Sequence, residues 1–225
     1  HNPVGRIWSR EELLKVGELA KRYHVTVISD EIHCDITEPG KEYIPFASVS
    51  EDCKAVSITC IAPTKAFNLA GMQTACVCVP DPVLRHKIWR ALNTDEVAEP
   101  NSFAVTAAIA AFERGEEWNR ELCEYISGNR KIVTEFFQRE LPMIRVVKGE
   151  ATYLLWIDVS ALSGDSKAIA GFIREKTGLY LSGGLSYGKS GEHFLRMNIA
   201  CPKVTLQDGL SRFKEGIRLY RKADQ

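Results

Sequence analysis

Three charged residues lie where a side chain could take part in chemistry. Asp30 ends the apolar, β-branched run 25–30, and Lys65 follows a later apolar run, among small and apolar neighbours with no acid beside it. Arg196 interrupts the apolar run 194–202. In open α/β sheets, ligands bind outside the carboxyl ends of the strands. The sequence therefore predicts that Asp30 faces a ligand crevice.

The three side chains have complementary chemistry. A lysine removed from water has a lowered pKa and becomes a nucleophilic amine. The fork of an arginine in an apolar strand suits a carboxylate. Pyridoxal phosphate needs a lysine for its Schiff base and an acid opposite its ring nitrogen, and an amino-acid substrate needs an arginine. The alternatives are that Asp30 caps a loop, Lys65 is a surface lysine, and Arg196 belongs to an internal ion pair or an edge strand.

The elements that must position these residues alternate between helices and short apolar strands. Ser9 and Glu12 have the spacing of a capping box, which predicts the start of a helix. The runs 25–30, 55–60 and 74–79 predict strands that are covered on both faces. This alternation indicates an α/β domain with a mostly parallel sheet.

The remainder of the chain predicts a helical stretch and then a small α+β domain. Residues 81–141 have a helical pattern that Pro100 divides. Further strands are predicted over 144–148, 152–158, 179–182 and 194–200, and helices over 166–177 and 205–222. We expect two domains, over residues 1–110 and 111–225. Because no glycine- or serine-rich linker separates them, the sequence does not mark their boundary sharply.

The composition excludes several classes of partner. Lys+Arg and Asp+Glu both number 29, which argues against nucleic acid or an anionic membrane as a partner. No apolar run reaches the length of a membrane span, and no signal peptide is recognisable. The seven cysteines lie mostly in apolar segments, so we expect small buried side chains in a reducing, cytoplasmic compartment. No Cys/His pairs have zinc spacing, so we expect no metal site.

Four segments carry a resemblance to a known family. They are HNPVGRIW at 1–8, SDEIHCD at 29–35, PTKAFNLAG at 63–71 and LRMNIACP at 195–202. Together they resemble fold-type-I, pyridoxal-phosphate-dependent enzymes of the class I/II aminotransferase superfamily. Within it they are most similar to the MalY/PatB-like cystathionine β-lyase (C–S lyase) branch. The resemblance implies part of the cofactor-binding large domain, followed by a small C-terminal α+β domain.

The resemblance also implies a role for individual residues. Asn2 would hydrogen-bond the phenolic oxygen of pyridoxal phosphate, and Asp30 would keep its ring nitrogen protonated. Lys65 would form the Schiff base and then take the substrate's Cα proton, while Arg196 would bind the α-carboxylate. Tyr153 would line the pocket, although a core aromatic is an equal alternative.

Three positions depart from the common pattern of the superfamily. His33 stands where many aminotransferases have a tyrosine that touches the phenolic oxygen, and we associate Asp-Glu-Ile-His with the C–S lyase branch; plain packing is the alternative. Ala62 stands where many relatives have a phosphate-binding serine, and Gln73 stands where the phosphate-binding arginine is usual. Thr64 could supply a hydroxyl to the phosphate.

Full members of the family begin far upstream of the equivalent of His1. We therefore expect a large N-terminal part of the family fold to lie outside this chain, and we expect the chain by itself to bind the cofactor weakly. Because family active sites lie between subunits, we also expect a homodimer.

The expected reaction is β-elimination from cystathionine or a related cysteine S-conjugate, with a thiol, pyruvate and ammonia as products. An aminotransferase is the alternative, since the same Lys, Asp and Arg serve both reactions. A non-catalytic binding or regulatory module is the alternative of another class.

Overall fold

The computed structural model describes residues 1–223. The chain packs as two compact units: Ile7–Cys123, the first unit, and His1–Arg6 together with the described residues from Glu124 onward, the second unit. The predicted domain boundary after residue 110 stays a prediction.

The first unit contains a three-stranded sheet in the order β1–β2–β3. Its elements are α1 (Arg10–Arg22), β1 (Val27–Asp30), α2 (Glu51–Ala55), β2 (Ser57–Ile61), β3 (Cys76–Cys78), α3 (Pro82–Thr94) and α4 (Ala104–Arg114). Strands β1 and β2 are parallel, whereas β3 runs antiparallel to β2. The predicted α/β class is confirmed. The direction of β3 differs from the predicted parallel alternation: the connection 62–75 contains turns and the short 3-10 helix Ala70–Met72 but no α-helix, the usual element of a parallel crossover.

The packing of α1 on α2 covers one face of this sheet. The predicted capping box is present: Ser9 Oγ accepts a hydrogen bond from the Glu12 amide at 3.3 Å, and the Glu12 carboxylate accepts one from the Ser9 amide at 2.9 Å. Gly17 of α1 lies so close to Cys53 of α2 that a side chain there would overlap the Cys53 sulfur. Val27 of β1 packs against the core of this unit, which consists of Phe46, Val49 and Cys53.

The opposite face of the sheet is open. Ile28 of β1 is 70% exposed, and Asp30, two residues on, is exposed on the same face. All three residues of β3 are exposed, Cys76 and Cys78 included. The expectations that these strands are covered on both faces and that the cysteines are generally buried are therefore wrong here, although Cys53 is fully buried.

The second unit is a small α+β fold, as predicted, and the structure shows that its four-stranded sheet is antiparallel. The long helix α5 (Glu116–Glu140) runs into it from the first unit. Its other elements are β4 (Arg145–Val146), β5 (Leu154–Asp158), α6 (Ser166–Thr177), β6 (Ser182–Gly183), β7 (Phe194–Asn198) and α7 (Lys203–Ala223). The strand order is β4–β5–β7–β6.

Helices α6 and α7 bury the apolar side chains of this sheet. Leu155, Ile157 and Leu195 are fully buried. Phe213 of α7 is also fully buried and lies 5.0 Å, ring centroid to ring centroid, from Phe137 of α5. Among residues 1–223, no helix combines the length and the apolar composition that crossing a membrane requires.

Removal of the Phe213 ring should destabilise this unit. Replacing a buried phenylalanine by alanine leaves a cavity, so Phe213→Ala should lower the free energy of unfolding by about 3–5 kcal/mol in urea titrations. The control is Val204→Ala, because Val204 is 72% exposed on the same helix; it should change stability by at most about 0.5 kcal/mol. An equally small loss of unfolding free energy in Phe213→Ala and in Val204→Ala would contradict the assignment of Phe213 to the core.

Candidate active site

Asp30 lies at the carboxyl end of β1, on the open face of the sheet. Its Oδ1 accepts a hydrogen bond from the Ile32 amide at 3.2 Å, so it does cap the following turn. This bond occupies one of the two carboxylate oxygens, and Oδ2 is left for a ligand. In the sheet, Asp30 is paired with Cys60 of the parallel strand β2.

Lys65 lies in the turn that follows β2. The turn is closed by two backbone bonds, from the Phe67 amide to the Pro63 carbonyl at 3.0 Å and from the Leu69 amide to the Thr64 carbonyl at 3.1 Å. Lys65 is half-buried. Within residues 1–223 its amine forms no hydrogen bond and no ion pair. The amine is therefore available for chemistry.

Side chains of α4 and α5 contact the turn that carries Lys65 and hold it in place. Ala66 is buried, and its carbonyl accepts a hydrogen bond from the Trp118 indole nitrogen of α5 at 3.1 Å. The Phe67 ring packs edge-on against Phe112 of α4 at 5.8 Å. Because β1 and β2 are parallel, the Asp30 and Lys65 loops leave the same edge of the sheet.

His33 lies in the tight turn that follows β1. The Cys34 amide donates to the Glu31 carbonyl at 3.0 Å, and the Ile36 amide donates to the His33 carbonyl at 3.1 Å. His33 is half-buried and its Nδ1 is buried. The structure thus places His33 in the loop that begins at Asp30, at the same end of the sheet as the Lys65 turn.

A buried carboxylate that sequence reasoning missed holds this turn in place. Glu31 is 3% exposed, and its Oε1 accepts hydrogen bonds from Ser29 Oγ at 2.9 Å and from the Phe46 amide at 3.0 Å. Burial raises the pKa of the nearby Tyr43 hydroxyl, and the negative charge of Glu31 raises it further. The hydrogen bond between Ser29 and Glu31 could have been predicted from their i, i+2 spacing. This spacing places both side chains on the face opposite Asp30.

Arg196 occupies the middle of β7 in the second unit. It is paired with Trp156 of β5 on one side and with Ser182 of β6 on the other. Its guanidinium donates to Asn2 Oδ1 at 3.3 Å and to Ser182 Oγ at 3.4 Å. Both acceptors are neutral, so the internal ion pair considered as an alternative is not present among residues 1–223. The structure thus brings Asn2 and Arg196 together.

The segment that carries Asn2 is fixed by Gly5. The Gly5 carbonyl accepts hydrogen bonds from the Glu150 amide at 2.7 Å and the Ala151 amide at 2.9 Å. Gly5 has φ of +74°, and a side chain there would overlap the Ala151 carbonyl oxygen. Only glycine fits this position, which explains the Asn-Pro-Val-Gly pattern physically.

Two aromatic side chains lie near the Arg196 guanidinium. Burial raises the pKa of the Tyr153 hydroxyl, and the positive charge of Arg196 opposes that shift, so the two groups are close. The Tyr187 ring lies under the guanidinium, with its centroid 5.2 Å from Cζ. Sequence reasoning found Tyr153 but missed Tyr187 and Ser182, because their proximity to Arg196 depends on cross-strand register and on the turn after β6.

Thr64 and Gln73, the positions that the sequence analysis compared with phosphate-binding residues, both lie in the first unit. Thr64 is half-buried in the Lys65 turn. Gln73 is exposed, with a left-handed φ of +49°. A phosphate role for Thr64 stays a prediction. In the described part of the chain, no three His, Cys, Asp or Glu side chains gather as a metal ion would require.

The family to which the chain belongs follows from comparison with known proteins. The model of the family "Aminotransferase class I and II" matches residues 1–213. The chain therefore belongs to the class I and II aminotransferase family.

Particular relatives narrow this similarity to one branch. The chain is 43% identical over 217 residues to cystathionine beta-lyase PatB of Bacillus subtilis (strain 168), covering 96% of the chain and 56% of PatB. It is similar to cystalysin from Treponema denticola, whose crystal structure contains pyridoxal 5'-phosphate (TM-score 0.93, 32% identity, 97% of this chain and 55% of that one). It is also similar to the PLP-bound C–S lyase of Staphylococcus hominis complexed with L-cycloserine (TM-score 0.87, 35% identity, 96% and 53%).

The predicted superfamily and its C–S lyase branch are confirmed by these similarities. The chain spans a little over half the length of the curated relatives that it matches, 56% in the case of PatB.

The thiol of Cys34, in the turn after β1, should be unreactive. Burial, and then the negative charge of Asp35, raise the pKa of Cys34 to about 12. Because the thiolate is the reactive form, iodoacetamide at about pH 8.5 should leave Cys34 unmodified. The exposed Cys76 and Cys78 provide the internal comparison and should be alkylated.

Peptide mass spectrometry of the labelled chain measures this difference. The unfolded chain in urea is the control, in which all seven cysteines should react. Alkylation of Cys34 as fast as that of Cys76 in the folded chain would show that the turn after β1 is open.

Proposed function

We propose that the protein containing this chain is a pyridoxal-phosphate-dependent C–S lyase. It would act on cystathionine or a related cysteine S-conjugate and release a thiol, pyruvate and ammonia. The observation that carries the proposal is that Lys65, whose amine has no hydrogen-bond or ion-pair partner within residues 1–223, lies in a turn at the same sheet edge as the open Asp30 carboxylate. The similarity to cystathionine beta-lyase PatB and to the C–S lyase of Staphylococcus hominis supports the reaction class.

Each unit by itself carries side chains whose chemistry suits pyridoxal phosphate. Pyridoxal phosphate, when bound, supplies an electron sink that stabilises negative charge at the substrate's Cα. Asp30 would accept a hydrogen bond from the protonated ring nitrogen through Oδ2, since only Oδ1 is used in its turn. Asn2 uses Oδ1 to accept from Arg196, so its amide NH₂ would donate to the phenolic oxygen. His33 and Thr64 would complete the cofactor site, the latter through its hydroxyl.

Lys65 would hold the cofactor covalently and then serve as the base. Its surroundings are apolar, with Ala62 and Ala66 both buried. The neutral amine would accept the proton from the substrate's Cα, and departure of the thiolate from Cβ would follow.

Arg196 would bind the α-carboxylate of the substrate. Its guanidinium has five N–H donors, and the partners it has in the structure are neutral oxygens. A carboxylate would therefore bring the first negative charge to this arginine, in a charge-assisted bond of the strong kind. Tyr153 would line the same pocket, next to that charge.

Aminotransfer is the second candidate function. The matching family model carries the description of an aminotransferase, which favours this alternative. Lys65, Asp30 and Arg196 would serve both reactions up to the removal of the Cα proton. The two reactions would diverge after that step, since elimination needs a leaving group on Cβ and transfer does not.

The assembly and compartment are also proposals. Free cysteines, none in a disulfide among the seven, support a reducing compartment such as the cytoplasm. Large exposed apolar side chains on α4, Ile109 and Phe112 among them, support burial of that surface in a larger assembly, for which we propose a homodimer.

The test is pyruvate release from L-cystathionine by the complete gene product that contains this chain, supplied with pyridoxal phosphate. Pyruvate and a free thiol in equal amounts would establish the lyase. Amino transfer to a 2-oxo acid without pyruvate would contradict the lyase and support the second candidate. Absence of both reactions together with specific partner binding would support the non-catalytic alternative.

Substitution of the proposed base should remove this activity. Lys65→Ala should lower kcat by at least about 10²-fold, the usual minimum for a general acid–base group. The matched control is Lys54→Ala, because Lys54 is an exposed lysine of α2 that pairs with Glu51; its activity should stay within about twofold of the unchanged protein. Near-normal turnover by Lys65→Ala would remove Lys65 from both of its proposed roles.

A further inference from the structure

The strongest unassigned feature of the second unit is the aromatic support under Arg196. The Tyr187 ring is stacked beneath the guanidinium, 5.2 Å from Cζ to the ring centroid. The same ring meets Trp156 edge-on at 5.6 Å, with 89° between the planes. Trp156 in turn is stacked on Phe194 at 5.2 Å. Tyr187 is therefore held by aromatic contacts and is 41% exposed.

The backbone that carries Tyr187 is tightly packed. A side chain on Gly184 would come within 2.7 Å of the Trp156 ring, and one on Gly191 would overlap the Gly184 carbonyl. The Gly188 amide donates to the Leu185 carbonyl at 3.2 Å, and Gly188 has φ of +116°. These contacts leave the turn little freedom, so the ring is fixed by its backbone as well as by Trp156.

The other supports of the guanidinium are weak. The bonds to Asn2 and Ser182 are 3.3 and 3.4 Å long, beyond the usual N–H···O range. Both are hydrogen bonds to neutral groups, and no carboxylate pairs with Arg196 among residues 1–223. A cation above an aromatic face gains electrostatic stabilisation. A guanidinium that lies parallel to the ring beneath it could also present its remaining N–H groups to a carboxylate in two bonds.

We propose that Tyr187 is a positioning residue, which holds the Arg196 guanidinium flat for the α-carboxylate of the substrate. Tyr187 thereby favours amino acids over amines that lack a carboxylate. This inference rests on the proposed function, because it assigns Arg196 to substrate binding. Tyr187 acts through Arg196 and needs no contact with the reacting atoms.

The experiment compares two ligands that differ by the carboxylate alone. L-Alanine and ethylamine both carry an amine that can bind at the cofactor, and neither has a leaving group at Cβ. The complete gene product with bound pyridoxal phosphate is titrated with each ligand, and the absorbance of the cofactor is followed. Tyr187→Leu should weaken the binding of L-alanine about fivefold, which corresponds to a typical cation–π contribution. It should leave the affinity for ethylamine unchanged.

Two further variants separate the ring's effect from a general loss of structure. Tyr187→Phe keeps the aromatic face and should restore the affinity for L-alanine to within about twofold. Tyr180→Leu is the matched control, because Tyr180 lies under Arg174 at 5.1 Å in the same unit and is 67% exposed. It should change neither affinity.

A double-mutant cycle tests whether the effect passes through the arginine. In an Arg196→Gln background, Tyr187→Leu should no longer change the affinity for L-alanine. Crystal structures of the cofactor-free protein give a readout independent of binding. In Tyr187→Leu the Arg196 guanidinium should leave Asn2 and Ser182, whereas in Tyr187→Phe it should stay.

The outcomes distinguish this inference from the function on which it rests. Three outcomes would overturn the role of Tyr187 while the lyase proposal stands. Tyr187→Leu could weaken the binding of both ligands equally, or it could leave the affinity for L-alanine unchanged. Tyr187→Phe could also reduce the affinity for L-alanine as much as Tyr187→Leu does. A cofactor that responds to neither ligand in the unsubstituted protein would overturn the proposed function, and the inference with it.

Discussion

The parallel pairing of β1 with β2 is the constraint on which the first unit depends. Register between two parallel strands fixes where both end, so the loops that carry Asp30 and Lys65 leave one sheet edge. The covered face, where Val27 meets the core of α1 and α2, anchors this pair. A slip of one residue would turn Asp30 towards that core and Ser29 to the open face. The apolar packing on one side therefore determines the chemistry on the other.

In both units, the charged side chains that we propose to bind ligands are supported by neutral neighbours. Asp30 accepts from a backbone amide, and Arg196 donates to an amide oxygen and a hydroxyl. A neutral neighbour orients a charge without neutralising it, so the electrostatic attraction remains for the ligand. Where a buried charge is structural, as in Glu31, it is satisfied instead by a hydroxyl and a backbone amide inside the fold.

The sequence predicted those features that short segments encode. The capping box at Ser9, the helix at Ser166–Thr177 and the acid at the end of β1 all depend on neighbours in the chain. The reversed direction of β3 could not be predicted, because a short apolar run does not indicate the direction of a strand. The contact of Tyr187 with Arg196 could not be predicted either, because it depends on the turn between β6 and β7 and on their register. β6 has only two residues, too few for an alternating pattern to show which face Ser182 occupies.

The bond between Asn2 and Arg196 joins residues 194 positions apart. During synthesis, at about 5–20 residues per second, some 10–40 s separate the appearance of these two side chains. The Gly5 segment likewise has no backbone partner until Glu150 and Ala151 have been made. Among the described residues, the contact between Asn2 and Arg196 is therefore one of the last features to assemble on the ribosome. A nascent chain can complete the helices and the parallel strands of the first unit well before this contact exists.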